Sequence, residues 1–77
     1  MAHSVRARNI KKLKAFGQNL QEIRMSKGLS QEDLAHQANI AYTSINKIEK
    51  GELNTSVATV FEIAKALGIP PGKLFDF

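Results

Sequence analysis

The stretch that decides the fold runs from Gly28 to Gly51 and reads GLSQEDLAHQANIAYTSINKIEKG. Ser30 is a residue type that opens helices, and Asp33, three positions later, completes a capping-box pattern. The apolar pattern that follows breaks at Asn39, and asparagine tolerates a left-handed backbone. The stretch therefore predicts a short helix over about residues 31–38, a sharp turn, and a second short helix over about residues 42–50.

Each of the two predicted helices carries a small apolar face. In the first helix this face consists of Leu34, Ala35 and Ala38. Ile45 and Ile48 lie three residues apart in the second helix, so they share one face and pack against the first. The polar row that points elsewhere consists of Tyr42, Thr43, Asn46 and Lys47. Two short helices crossed through small residues, the second with an outward polar row, are typical of a helix-turn-helix that enters a major groove.

The sequence resembles the Cro/cI-type helix-turn-helix regulators, also called the xenobiotic-response-element family, over about residues 13–77. The matching positions are Gly28, Leu29, Ser30, Gln31, Leu34, Ala35, Ile45, Ile48, Glu49, Gly51, the run 56–68, Leu74 and Phe75. Two positions depart from the family pattern. Asn39 stands where the family most often has glycine, and Tyr42 stands where several phage members carry an amide. The resemblance implies a lambda-repressor-like DNA-binding fold and leaves the DNA sequence that is read open.

Helical periodicity extends on both sides of this motif. An apolar stripe with steps of three or four residues precedes it: Ile10, Leu13, Phe16, Leu20 and Ile23. Gly28 supplies a left-handed stop, and Gly17 inside the stripe indicates a close approach of two helices. After the motif, Ser56 opens a helix that Gly68 closes, with Pro70 beyond it.

That helix is expected to turn five residues inward: Val57, Val60, Phe61, Ala64 and Leu67. A last short turn over residues 72–75 is the fifth predicted helical segment. The sequence thus predicts an all-α, compact five-helix bundle of the lambda-repressor-like DNA-binding type, in which helices two and three form the helix-turn-helix.

Length and composition limit the classes of protein. The 77 residues predict one domain, and the 43% hydrophobic content suffices for a small helical core. The absence of cysteine excludes disulfides and thiolate metal sites. No apolar run is long enough to span a membrane and the N-terminus lacks the apolar core of a signal peptide, so we expect a cytoplasmic protein with no membrane partner.

The basic charge is concentrated near the N-terminus. Residues 1–14 hold five basic and no acidic residues, whereas residues 15–77 hold six basic and seven acidic ones. We therefore divide the chain into a basic N-terminal arm or helix extension, residues 1–12, and a helix-turn-helix DNA-binding domain, residues 13–77. Arg6 and Arg8 either follow DNA phosphates, which strengthens binding at low salt, or belong to a solvated terminus.

Other chemistries find little support in the sequence. His3 and His36 are far apart and lack zinc-ligand spacing, so we expect no metal. Glu32 and Asp33 lie at a helix start, where the dipole favours negative charge, so they are interpreted as capping residues rather than as catalytic carboxylates. The sequence has neither a phosphate-binding glycine loop nor a Ser/His/Asp set. We predict that the chain is not an enzyme, uses no cofactor and takes no small-molecule ligand.

The family resemblance implies a homodimer that binds double-stranded DNA at a pseudo-palindromic operator and regulates transcription. In size the chain also resembles phage repressors and the controller proteins of restriction-modification systems. An alternative is an antitoxin-like protein-binding module that neutralises a partner protein and regulates its own operon.

Candidate site residues follow from this reading. Base contacts are expected from Tyr42, Thr43, Asn46 and Lys47, and phosphate contacts from Gln31, Ser44, Asn54, Thr55, Arg6 and Arg8. The resemblance further implies a structural salt bridge between Arg24 and Glu49 that ties the recognition helix to the scaffold. Of the two C-terminal aromatic residues, Phe75 is expected inside the core and Phe77 at a dimer interface.

Overall fold

The structure, a computed structural model, describes the backbone of residues 5–77 and the side chains of residues 7–77. In chain order the α-helices are α1 (Val5–Arg8), α2 (Ile10–Ser26), α3 (Gln31–Ala38), α4 (Tyr42–Glu49) and α5 (Val57–Leu67), followed by a 3₁₀ helix (Pro71–Phe75). No strand occurs between residues 5 and 77, so the all-α prediction is confirmed for this part of the chain. None of the described helices is long and apolar enough to cross a membrane.

The number of helices differs from the prediction. The domain consists of four α-helices longer than one turn, α2 to α5, with the one-turn α1 before them among the described residues. The segment predicted as a fifth helix is a 3₁₀ helix of five residues that begins at Pro71. Proline lacks the backbone N–H that an α-helix uses, and such short segments often adopt the tighter 3₁₀ turn. The predicted helices two and three correspond to α3 and α4.

Both ends of α3 are fixed by local side-chain and backbone chemistry. The Ser30 hydroxyl accepts a hydrogen bond from the Asp33 backbone N–H at 2.9 Å, and Asp33 Oδ2 accepts one from the Ser30 backbone N–H at 2.9 Å. These hydrogen bonds stabilise the carboxylate and lower the pKa of Asp33. Asn39 ends the helix with φ 56°, as its tolerance of the left-handed region predicts. Ser30 and Asp33 therefore fix the start of α3, and Asn39 sets the turn between α3 and α4.

A close approach between α2 and α4 positions the second helix of the motif. A Cβ atom at Gly17 would lie under 3.0 Å from the carbonyl oxygens of Ile48 and Glu49, so only glycine fits there without movement of the backbones. Gly51, just after α4, has φ 75°, and a Cβ atom there would lie under 3.0 Å from atoms of Lys14. The last turn of α4 therefore lies against the first half of α2.

A single apolar core joins the four longer helices and the 3₁₀ helix. Its fully buried large side chains are Leu20, Leu34, Ile45, Ile48, Ile63 and Leu74. Two of the residues predicted to face inward from α5, Val57 and Phe61, are exposed instead, and Ile63 takes the inward position. Apolar residues occupy a wider part of the surface of α5 than the neighbouring elements bury. Their spacing alone therefore does not show which of them face the core.

The C-terminal turn also differs from the prediction for Phe75. Leu74 is fully buried, whereas Phe75 is 56% exposed and packs its ring against that of Phe16 at a centroid distance of 5.0 Å. Neighbouring side chains in a 3₁₀ helix point about 120° apart, so only one of the two residues enters the core. Asn19 Nδ2 donates to the carbonyl oxygen of Lys73 at 2.8 Å and ties this turn to α2.

Candidate nucleic-acid interface

One side of α4 is buried and the other carries polar side chains. Ile45 and Ile48 anchor the helix in the core. Tyr42, Thr43 and Lys47 are exposed, and Asn46 is half-buried. All four residues predicted to contact bases thus lie on one helix, held by the core beneath it.

The residues predicted to contact phosphates are spread over three elements. Gln31 opens α3 and is half-buried, and Ser44 lies half-buried in the first turn of α4. Asn54 is exposed and Thr55 half-buried in the loop before α5, where the Ser56 hydroxyl accepts from the Thr59 backbone N–H at 3.1 Å. The first turns of α3, α4 and α5 have backbone N–H groups without partners in their own helix, and such groups favour anions.

A buried ion pair connects α4 to the scaffold. Arg24 Nε donates to Glu49 Oε2 at 2.7 Å and Arg24 Nη2 donates to Glu49 Oε1 at 3.1 Å, with the two side chains only 9% and 2% exposed. Arg24 Nη1 donates to the carbonyl oxygen of Leu29 at 2.6 Å. The pair implied by the family resemblance is therefore present, and it also holds the loop that leads into α3.

Two further hydrogen bonds extend from this ion pair toward the polar row of α4. Gln31 Nε2 donates to Glu49 Oε1 at 2.9 Å, and Gln31 Oε1 accepts from Asn46 Nδ2 at 3.1 Å. We refer to Arg24, Glu49, Gln31 and Asn46 as the Glu49 network. Sequence reasoning missed the links through Gln31. Asn46 and Glu49 lie three residues apart on one face of α4, but this spacing does not indicate that Gln31 of α3 bridges them.

Of the basic N-terminal residues, Lys14 lies near the carboxyl end of α4. The side chain of Arg6 is outside the part of the chain whose side chains are described, and Arg8 is exposed at the end of α1. Lys14 contacts Gly51, so the beginning of α2 lies beside the carboxyl end of α4. Among the described residues, no hydrogen bond or ion pair joins the Arg8 side chain to α4. Because α2 begins at Ile10, Lys11 and Lys12 belong to a helix.

Exposed apolar side chains occur on α5 and at the C-terminus. Val57 and Phe61 lie one helical turn apart on α5, and Val57 and Phe75 line the same groove. Phe77 is also exposed. We refer to Val57, Phe61, Phe75 and Phe77 as the apolar surface. Within the described residues no group of three or more metal-binding side chains is found, and His3 lies outside them.

Comparison with known proteins gives consistent results. The family model described as helix-turn-helix matches residues 20–74. The chain is 44% identical over 63 residues to control protein C.BamHI of Bacillus amyloliquefaciens, covering 80% of this chain and 78% of the relative.

Solved structures show the same likeness. The restriction-modification controller protein C.AhdI of Aeromonas hydrophila is similar with a TM-score of 0.84 and 40% identity, over 84% of this chain and 98% of that one. The controller protein C.Esp1396I, whose tetramer has been solved in complex with its natural 35-base-pair operator, is similar with a TM-score of 0.76 and 28% identity, over 96% of this chain and 90% of that one.

Proposed function

Because the chain belongs to the helix-turn-helix family, we propose that it is a DNA-binding transcriptional regulator of the controller-protein type, acting as a homodimer on a pseudo-palindromic operator. The observation that carries the proposal is α4, a helix with an outward polar row and a buried ion pair at its base. Its likeness to controller proteins, one of them solved on its operator, supports this function. The family is one of non-enzymatic regulators, in agreement with the prediction that the chain is not an enzyme.

In this function α4 enters the major groove and its polar row reads bases. Lys47 donates to guanine O6 and N7, Asn46 pairs with adenine, and the methyl group of Thr43 contacts thymine. Tyr42, at the first position of the helix, contributes a further base contact. These four side chains determine which sequence is bound.

The phosphate contacts fix the orientation of the domain on the duplex. Ser44 lies in the first turn of α4, and Asn54 and Thr55 lie just before α5, so each is close to a helix start whose N–H groups attract phosphate. Gln31 opens α3 and keeps one N–H beyond its bond to Glu49 for a phosphate. Arg6 and Arg8 add contacts outside these positions.

The apolar surface supports a homodimer. Val57 and Phe61 lie one turn apart on α5, Val57 and Phe75 line one groove, and exposed large apolar side chains close together are typical of an interaction site. A second copy on this surface would present a second α4, as a two-fold symmetric operator requires, with half-sites about one helical turn apart.

The experiment that tests this function is selection of bound duplexes from a random pool, followed by footprinting at two salt concentrations. We expect two symmetric half-sites to be enriched. Lys47→Ala should relax the preference at one operator position by about 1–3 kcal/mol, whereas Asn54→Ala should weaken binding to all variants alike.

Lys65→Ala, which removes an exposed lysine on α5, is the control and should leave both patterns unchanged. A pool without enrichment would contradict the function and favour a protein-binding role such as that of an antitoxin. An enriched site without two-fold symmetry would contradict the homodimer.

A further inference from the structure

In the Glu49 network, each hydrogen bond has a fixed donor and a fixed acceptor. A carboxylate only accepts hydrogen bonds, so Glu49 Oε1 requires the nitrogen end of the Gln31 amide, which donates at 2.9 Å. The oxygen end of Gln31 must then point the other way, where it accepts from Asn46 Nδ2 at 3.1 Å. The oxygen and nitrogen ends of an amide have nearly the same size and shape, so the hydrogen-bond partners decide which end faces which neighbour. The charge of Glu49 therefore decides which end of Asn46 faces the scaffold.

The remaining groups of Asn46 are available to a ligand. One N–H of its amide is used by Gln31, while Oδ1 and the second N–H have no hydrogen-bond partner among the described residues. Asn46 is half-buried, so its side chain is confined at the base of the polar row of α4. It presents one acceptor and one donor in a set orientation.

We propose that Glu49, acting through Gln31, is a positioning residue for base recognition. It holds Asn46 with Oδ1 available to the DNA, so that α4 selects a base with an exocyclic amino group in the major groove. Adenine fits best because its N6 amino group donates to Oδ1 and its N7 accepts the second N–H. Guanine and thymine present carbonyl oxygens there, which Oδ1 repels. This inference rests on the proposed function.

The main test variant is Gln31→Met, which keeps the length of the side chain and removes both polar atoms. It leaves the Arg24–Glu49 ion pair in place, so we expect the fold to be retained. Glu49→Gln also breaks this fixed assignment of donors and acceptors, but it leaves the buried Arg24 without a charged partner and serves only as a second variant. The control is Gln37→Met, which changes an exposed glutamine on the same helix, α3.

The measurement has two stages. In the protein without DNA, Gln31→Met should shift the side-chain amide resonances of Asn46 in an NMR spectrum, and Gln37→Met should not. On DNA, Asn46→Ala identifies the operator position that Asn46 reads. At that position we expect wild type to prefer adenine over guanine, and Gln31→Met to reduce this preference by about 10-fold, within the range of a bidentate base contact. Adding Gln31→Met to Asn46→Ala should cause no further loss of preference there.

Several results would overturn the inference. A loss of affinity on Gln31→Met that is equal for all four bases would show that Gln31 only contacts phosphate. A wild-type preference for guanine at the Asn46 position, or Asn46 resonances unmoved by Gln31→Met, would also contradict it. Failure of wild type to enrich any duplex would instead refute the proposed function, and the NMR stage separates the two failures because it needs no DNA.

Discussion

At the scale of single residues, the Arg24 guanidinium joins three parts of the domain. It belongs to α2, its Nε and Nη2 bind Glu49 at the end of α4, and its Nη1 binds the carbonyl oxygen of Leu29 before α3. A buried charge must be paired to offset its loss of hydration. The donors of a planar guanidinium point in fixed directions, so its partners must lie in a narrow range of positions. The pair therefore fixes the orientation of α4 relative to the scaffold.

The buried pair leads to a prediction for stability. Arg24→Ala or Glu49→Ala should lower the free energy of unfolding by about 3 kcal/mol, because each leaves the other charge buried without its partner. The double variant should lose clearly less than the sum of the two single losses. Thermal and urea melts of the four proteins measure this. Additive losses below 1 kcal/mol would show that the two charges act independently.

Single residues also show what the sequence can and cannot predict. The capping box at Ser30 and the left-handed turn at Asn39 follow from local chemistry, and both were predicted. The Arg24–Glu49 pair was implied by family resemblance. The bonds of Gln31 to Glu49 and Asn46 depend on how α3 and α4 cross, and side-chain bonds of that kind are set by tertiary geometry rather than by spacing.

At the scale of elements, the approach of α2 to α4 decides where the recognition helix lies. Gly17→Ala should destabilise the protein by about 1–3 kcal/mol, although alanine is the better helix former, because the added Cβ meets backbone carbonyls of α4. Gly72→Ala is the matched control, since nothing lies within 4 Å of a Cβ there. Chemical denaturation compares the two. Equal stability of both variants would mean that α2 and α4 can separate without cost.

The capping box of α3 leads to a prediction for pH. The pKa of Asp33 is lowered in the folded protein by its hydrogen bonds with Ser30, so the carboxylate adds stability at pH values above its unfolded pKa and loses this stability as pH falls through the folded pKa. Ser30→Ala should cost about 1 kcal/mol at neutral pH.

Asp33→Asn should flatten the fall of stability with acid, as melts between pH 7 and strongly acidic pH would show. Glu62→Gln, at an exposed acid on α5, is the control and should keep the wild-type acid dependence. If Asp33→Asn also kept that dependence, the capping box would have no electrostatic role.

The elements also show where periodicity stops being informative. The bounds of α3 and α4 agree with the predicted ones to within a residue, because capping and turn residues mark both ends. The buried face of α5 was placed wrongly at Val57 and Phe61, and Phe75 was placed in the core. Each of these residues is apolar and lies either next to a buried residue or about one helical turn from one, so only the positions of the neighbouring elements decide which is covered.

At the scale of the whole molecule, the apolar surface predicts self-association. Phe77→Ser should raise the dimer dissociation constant by about 10- to 100-fold, which is the effect of no longer burying one phenylalanine. Phe61→Ser, one turn from Val57, tests the same surface. Met25→Ser removes an apolar side chain that is equally exposed but lies on α2, and should change nothing. Sedimentation equilibrium gives the constants, and a wild type that stays monomeric would refute the dimer.

The distribution of charge over the molecule raises a question about affinity for DNA. Residues 15–77 hold six basic and seven acidic residues, and Arg24 and Glu49 neutralise each other. The excess of positive charge lies in residues 1–14, yet the beginning of α2 lies beside the carboxyl end of α4, whereas recognition helices contact bases through their amino-terminal residues. If α4 reads bases as proposed, we expect the basic segment to contact phosphates that flank those bases.

If Arg6 and Arg8 contact such phosphates, the double variant Arg6→Gln/Arg8→Gln should bind the operator more weakly without changing which bases are preferred. The slope of log affinity against log salt should flatten by up to about two units per protomer, near 0.9 for each lost contact. Lys65→Gln/Lys73→Gln removes the same charge from α5 and the 3₁₀ helix and should leave the slope closer to wild type. Deleting residues 1–9 extends the test: a lowered melting temperature with an unchanged slope would assign these residues to the fold, and an unchanged slope, affinity and melting temperature would assign them to solvent.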